Sequence, residues 1–357
     1  MKNIKPKDRV NRIIDHKEAD RVPLDIWAEE EVKEKLIKYF GFSEWEQVLR
    51  LFNIDIRWPI PWLDYLPVKY SIDKKFYIDS WGFERWVGNE VVRNHPLANI
   101  ESIDDVDKFN FPDPNKFNYD NYAKECEKYS DYFVCGGSWS CFFNTANHLV
   151  GMENLLVKMI DIPEVILYLF EKITDFYLEV SKKMFEKANK WIDIFFMGDD
   201  FGTQQSLLIS KPMFQYFMKP NLERLFKQAK NYGKKVMLHS DGNIYDIIPD
   251  LIEIGLDVLN PIQPRIEDMD IFKLKKEFGK KISFHGGIDS QNILPLGSEN
   301  DVKNEVIKKI AGVAPGGGFI LSSSHNIQND VPIENIITMY NTAYNYGFYG
   351  YLGKLRK

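Results

Sequence analysis

The feature that most constrains this chain is a rhythm that sets in at residue 131. Short apolar runs end in Gly, Asp, Ser or His, and each is followed by a stretch whose apolar residues recur at helical spacing. The runs are YFVCGGSW (132–139), WIDIFFMGDD (191–200), KKVMLHSDG (234–242), LDVLNPIQP (256–264), KISFHGGID (281–289) and GGFILSSSH (317–325). Helical patterns fall at 150–160, 163–189, 211–233, 244–255, 268–278, 300–311 and 333–347. Such alternation implies parallel strands with right-handed helical crossovers. A doubly wound sheet places its site at one topological switch point. A (β/α)8 barrel draws its site from the ends of most strands. Here polar residues recur at the ends of five or six consecutive strands, so the α/β fold expected is the closed TIM barrel.

The first 130 residues keep no such rhythm. A helix is expected over 6–18 and a strand at VPLDIW (22–27). Residues 53–120 are rich in Trp, Pro, Asp and Tyr with poor periodicity, which predicts loops and short strands forming a lid or a homodimer surface. The aromatic cluster Trp58, Trp62, Tyr65, Trp81 and Trp86 belongs to core, interface or a pocket wall. A length of 357 residues fits one barrel domain, 1–357, made of an irregular extension (1–130) and regular β/α units (131–347).

A net charge of −6 with no basic stripe argues against nucleic acid as a partner. The three cysteines form no CxxC pair, and the charged N-terminus lacks an apolar signal region, so the expected location is the cytoplasm. No apolar run approaches the ~20 residues of a membrane helix. Gly316–Gly318 matches no phosphate-binding loop and no GxSxG elbow occurs, so no nucleotide is expected.

His239 and Asp241 flank Ser240 at a strand end, and positions i and i+2 of a strand face the same way. An imidazole and a carboxylate facing one cavity hold a divalent metal or act as an acid/base pair; the same two residues also suit a loop hydrogen bond and a helix cap. His325 ends a later strand and is the candidate third ligand. Asp199 and Asp200 are adjacent, so one is expected to point into the mouth and the other to brace a loop. Gln204 is placed to hydrogen-bond a ligand or to cover the loop, while His285 and Asp289 in HGGID suit either a pocket or a structural turn.

The blocks GDDFGTQQSLLIS (198–210), VMLHSDGNI (236–244), LDVLNPIQP (256–264), HGGIDSQ (285–291) and GGGFILSSSHNI (316–327) resemble, in order and spacing, those of the uroporphyrinogen decarboxylase (URO-D) superfamily. The resemblance implies a TIM barrel and two kinds of activity. One is cofactor-free decarboxylation of uroporphyrinogen. The other is methyl transfer between a methylated corrinoid and a thiol, as in the methylcobalamin:coenzyme M methyltransferases. In those methyltransferases a zinc is held by a His-x-Cys pair and a later Cys. His239 matches that histidine, Asp241 stands at the first cysteine and His325 near the second, so the implied set is His, Asp, His, with harder ligands and a less electron-rich metal.

The decarboxylases carry an arginine-rich segment where this chain has RVPLDIWAEE, with Glu29, Glu30 and Glu31. Asp55, in FNIDI, matches their pyrrole-steadying aspartate. The pattern resembles a divergent branch related to the corrinoid-dependent methyltransferases. It implies His239, Asp241 and Asp200 at the reaction centre, and Asp199, Gln204, Asp55, His285 and Asp289 towards substrate. It also implies zinc or another divalent ion on His239, Asp241 and His325, and cobalamin brought by a separate corrinoid protein. Porphyrinogen decarboxylation and a non-catalytic ligand-binding barrel are the alternatives.

Overall fold

The computed structural model describes residues 4–59, 69–71, 75–86, 92–139 and 141–355. Seven parallel strands form one sheet: β1 (Ile56–Arg57), then β5 (Phe133–Trp139), β6 (Ile194–Gly198), β7 (Lys235–His239), β8 (Val258–Ile262), β9 (Ser283–Ile288) and β10 (Phe319–Ser323), in that spatial order. Between β1 and β5 in the chain, β2 (Lys69–Tyr70), β3 (Phe76–Ile78) and β4 (Glu84–Trp86) make a small antiparallel sheet. From β6 to β10 almost every strand residue is buried, as expected when both faces of a parallel sheet are covered.

The edges of the sheet meet through the extended segment 22–28. Leu24 bridges Leu321 of β10 in parallel, and Ala28 bridges Ile327. The Asp25 N–H donates to the Leu321 carbonyl at 3.0 Å, and on the other side the Asp55 N–H donates to the Leu24 carbonyl at 2.9 Å. VPLDIW therefore takes the eighth position, and the (β/α)8 ring of a TIM barrel closes.

Alternation along the strands sends Ile56, Phe133, Cys135, Ile194, Phe196, Met237, Val258 and Ile320 inward, into one buried cluster. Val10, Ile13 and Ile14 of the first helix, Pro6–Ile14, plug it from the N-terminal end. Each such side chain contributes about 1.5–3 kcal/mol on burial. That helix ends earlier than its pattern suggests, because His16 turns the chain through a left-handed φ of 56°. Similarly the helix expected from 268 begins at Ile271, where the Asp270 carboxylate caps the N–H groups of Phe272 and Lys273.

Residues 53–120 contain the antiparallel sheet and the helix Ile103–Lys108, opened by a Ser102/Asp105 capping box; the helix Tyr119–Lys128 follows. Of the aromatic cluster, Trp81 is buried, Trp86 is exposed and Trp58 is half-buried in the barrel mouth, while Trp62 and Tyr65 lie outside the described residues. Among the described residues no helix is long and apolar enough to cross a membrane.

Candidate metal centre at the barrel mouth

The C-terminal ends of β6 and β7 bring three ligand-type side chains together. One ligand atom from each of Asp200, His239 and Asp241 lies within 4.8 Å of the others. His239 Nε2 is 3.8 Å from Asp200 Oδ1 and 3.9 Å from Asp241 Oδ2, beyond hydrogen-bond length. His325 Nε2 stands 3.5 Å from Asp241 Oδ2 on the outer side, outside the three-residue set, with its side chain 40% exposed.

Two loops hold the acids in place. Asp200 Oδ1 accepts the Asp241 N–H at 2.9 Å, and Gln263 Nε2 donates to Asp241 Oδ1 at 2.9 Å. Gly242, at φ 85°, lies so close to Gly202 that a Cβ there would come within 2.4 Å of the Gly202 carbonyl carbon. Only glycine lets the loop after β7 rest on the loop after β6. Burial raises the Asp241 carboxyl above its ordinary range and the Asp200 charge adds to this, while His239 and His325 pull the other way. Two carboxylates facing one nitrogen, with no Lys or Arg paired to either among the described ion pairs, make a site that a cation would relieve.

Aromatic rings wall the same space. Trp27 stacks on His239 at 5.4 Å and 17°, and Trp139 lies 5.1 Å from the imidazole. Trp58 and Phe196 complete the wall. Trp139 adopts φ 62° at the end of β5, a left-handed conformation that costs a bulky residue about 1–3 kcal/mol. A Cβ on Gly198 would meet the Trp139 ring at 2.9 Å, so the glycine lets the indole lie against β6.

Other residues marked in the sequence sit elsewhere. Asp199, expected towards substrate, is fully buried on the opposite side from Asp200; its carboxylate accepts the N–H groups of Phe143 and Asn144, both at 2.8 Å, at the start of the helix Phe142–Val150. Burial pushes its carboxyl well up against the pull of those donors. Asp55 is also buried and engaged: Arg9 and Arg21 bind its carboxylate at 2.6 and 2.8 Å at the opposite end of the barrel. Asp289 caps a turn, accepting the N–H groups of Gln291 and Asn292. Gln204 is exposed on a small polar recess shared with Gln263, Arg265 and Asp289. His285 is buried, with Nε2 2.8 Å from Asp25 Oδ2 and Nδ1 2.6 Å from Asn260 Nδ2, so both ring nitrogens are engaged inside the protein. Glu29, Glu30 and Glu31 are exposed.

Sequence reasoning passed over Asp25, Asn260 and Gln263. Asn260 Oδ1 lies 2.7 Å from His239 Nδ1, beneath the centre. The signal was a polar residue at an inward register position in an otherwise apolar strand: Asn260 follows Val258 by two, and Asp25 precedes Trp27 by two. The cysteines stay out of the centre, with burial raising all three thiols, Cys126 and Cys141 to about 12.

The family model for uroporphyrinogen decarboxylase (URO-D) matches residues 87–346. The chain belongs to the URO-D family. Its fold is similar to that of a methyltransferase from Methanosarcina mazei, with a TM-score of 0.72 at 18% identity, over 96% of this chain and 99% of that one. At such identity the likeness is one of fold. No match was found among the curated proteins. For a URO-D barrel, a cluster at the C-terminal strand ends lies where this architecture builds its sites.

Proposed function

We propose that this URO-D family member is a metal-assisted methyltransferase working as a single barrel domain. It moves a methyl group between a small methylated substrate or thiol and a corrinoid carried by a separate protein. The observation that carries the reading is the convergence of Asp200, His239 and Asp241 on one point of the mouth. One imidazole nitrogen and two carboxylate oxygens suit zinc or another divalent ion of borderline hardness. Asp200, His239 and Asp241 would hold it, with His325 beside them as a further donor. An ion bound there supplies a Lewis acid for the heteroatom that carries or accepts the methyl group.

The rest follows from the chain's own residues. The carboxylates fix charge at the point of reaction, and Gln263 and the Asp241 N–H hold them against rotation. Trp27, Trp58 and Trp139 keep water from the inner side of the centre, which strengthens every electrostatic interaction within it. His325, exposed at the rim beside Asp241, stands where an arriving substrate would pass.

Metal analysis of protein purified without chelators is expected to give one divalent ion per chain. His239→Ala should abolish that ion and slow methyl transfer from methylcobalamin to a thiol on the order of a thousandfold, corresponding to several kcal/mol of lost stabilisation. A metal-free wild type, or unchanged transfer in His239→Ala, would remove the reading.

A further inference from the structure

Beneath the centre, a line of polar side chains crosses the barrel interior from one wall to the other: Asp25, His285 of β9, Asn260 of β8 and His239 of β7. We infer that Asp25, His285 and Asn260 are positioning residues that dictate which nitrogen of His239 carries its proton, leaving the Nε2 lone pair turned to the mouth. The inference deepens the metal reading above, but its first part concerns the protein alone.

The polarity follows from the fixed end. Asp25 is a buried carboxylate that takes the Trp58 indole N–H at 3.1 Å and lies 2.8 Å from His285 Nε2. A carboxylate only accepts, so His285 bears its hydrogen on Nε2. A neutral His285 then offers a lone pair at Nδ1, where Asn260 Nδ2 donates at 2.6 Å. That orientation turns the amide oxygen to His239, whose Nδ1 lies 2.7 Å away and must be the donor. The hydrogen of a neutral His239 is thereby placed on Nδ1. Its other nitrogen, Nε2, is the atom facing Asp200 and Asp241.

Burial and neighbouring side chains hold the line in place. All four residues are at most 4% exposed, so water does not compete for these bonds. Trp27 stacked on His239 resists a ring flip. The Asp25 carbonyl accepts the Tyr340 hydroxyl at 2.9 Å, anchoring the backbone at the start of the line. Apolar residues would fill this space with less desolvation cost, as Ile194, Val258 and Ile320 do in the barrel's inner cluster. An oriented imidazole is what a metal ligand needs, because the hydrogen bond at one ring nitrogen sets the tautomer and basicity of the other.

The test has two arms. In metal-free protein labelled with 15N-histidine, long-range 15N–1H correlation is expected to show His239 as the Nδ1–H tautomer. Asn260→Leu, near in size, should mix the two tautomers. An Nε2–H tautomer in the wild type, or no change in Asn260→Leu, overturns the inference. In the second arm, Zn2+ affinity is measured against a competing chelator. Asn260→Leu is expected to weaken it by about 10–100-fold, and Asn260→Asp, whose carboxylate still accepts from Nδ1, should restore it. A structural role alone would make both variants equally poor, and that result also overturns the inference. Circular dichroism confirms that each variant is folded. If the wild type binds no Zn2+ but shows the Nδ1–H tautomer, the metal reading fails and the orientation stands.

Discussion

The two ends of the barrel handle buried charge in opposite ways. At the N-terminal end, Arg9 grips Asp20 at 2.6 and 2.7 Å and reaches Asp55 at 2.6 Å, while Arg21 binds both oxygens of Asp55 at 2.8 and 3.0 Å. The Leu24 N–H adds a further bond to Asp55. Asp20 and Asp55 each meet a guanidinium in bidentate geometry, the strongest form of such pairing. At the mouth, Asp200, His239 and Asp241 converge at 3.8–3.9 Å without bonding. The first arrangement is complete in itself and ties the first helix to the ring. Under the proposed metal reading, a bound cation would complete the second. Two clusters built on paired aspartates thus differ in whether guanidinium groups of the chain close their charge.

The comparison can be broken by measurement. The largest effect on folding is expected from Asp55→Ala, which leaves two buried guanidinium groups without their shared partner and should cost about 3–5 kcal/mol in urea unfolding. A loss below 1 kcal/mol would show that the N-terminal network is not what closes that end. The effect of Asp20 should be smaller and depend on pH. Burial alone would raise its carboxyl, but the hydrogen bonds and charge of Arg9 outweigh this and hold it below the usual carboxylate range. A depressed folded-state value means that its stabilisation is present above the ordinary aspartate value near 3.8 and is lost as pH falls through the lower one. Unfolding midpoints from pH 7 down to pH 2 should therefore converge for wild type and Asp20→Asn. Parallel curves would contradict the sign.

The smallest folding effect is expected at the mouth. Asp200→Asn keeps an acceptor for the Asp241 N–H and removes one of two like charges, so stability should stay within about 0.5 kcal/mol or rise. Zn2+ retention should fall in the same variant. A destabilisation above 2 kcal/mol would mean that Asp200 belongs to a closed network like that of Asp55, and the contrast between the ends would collapse.

Much of this was open to reading residue by residue. The strand ends near His239 and His325 and the opposed directions of Asp199 and Asp200 follow from local apolar runs and a side-chain period of two, whereas His285 lies within β9, which runs on to Ile288. The meeting of His239 with Asp241 follows from the same rule. What escaped were partners whose meaning depends on distant chain segments. Asn260 lies within LDVLNPIQP and Asp25 within VPLDIW, both read as strands, and nothing local names their partners. Asp55 sits in the FNIDI block, yet local sequence holds nothing to say that Arg9 and Arg21 would claim it.

By itself, then, the sequence determined the alternation of strands and helices, the direction each strand-end side chain takes and the family the chain belongs to, because these depend on local periodicity and on ordered motifs. The tertiary structure alone decided which polar groups satisfy one another. Asp25 and His285 are 260 residues apart along the chain, and they meet only because segment 22–28 closes the ring between β10 and β1. Ring closure is a cooperative outcome of all eight positions, so it sets both the paired charges at one end and the converging Asp200, His239 and Asp241 at the other.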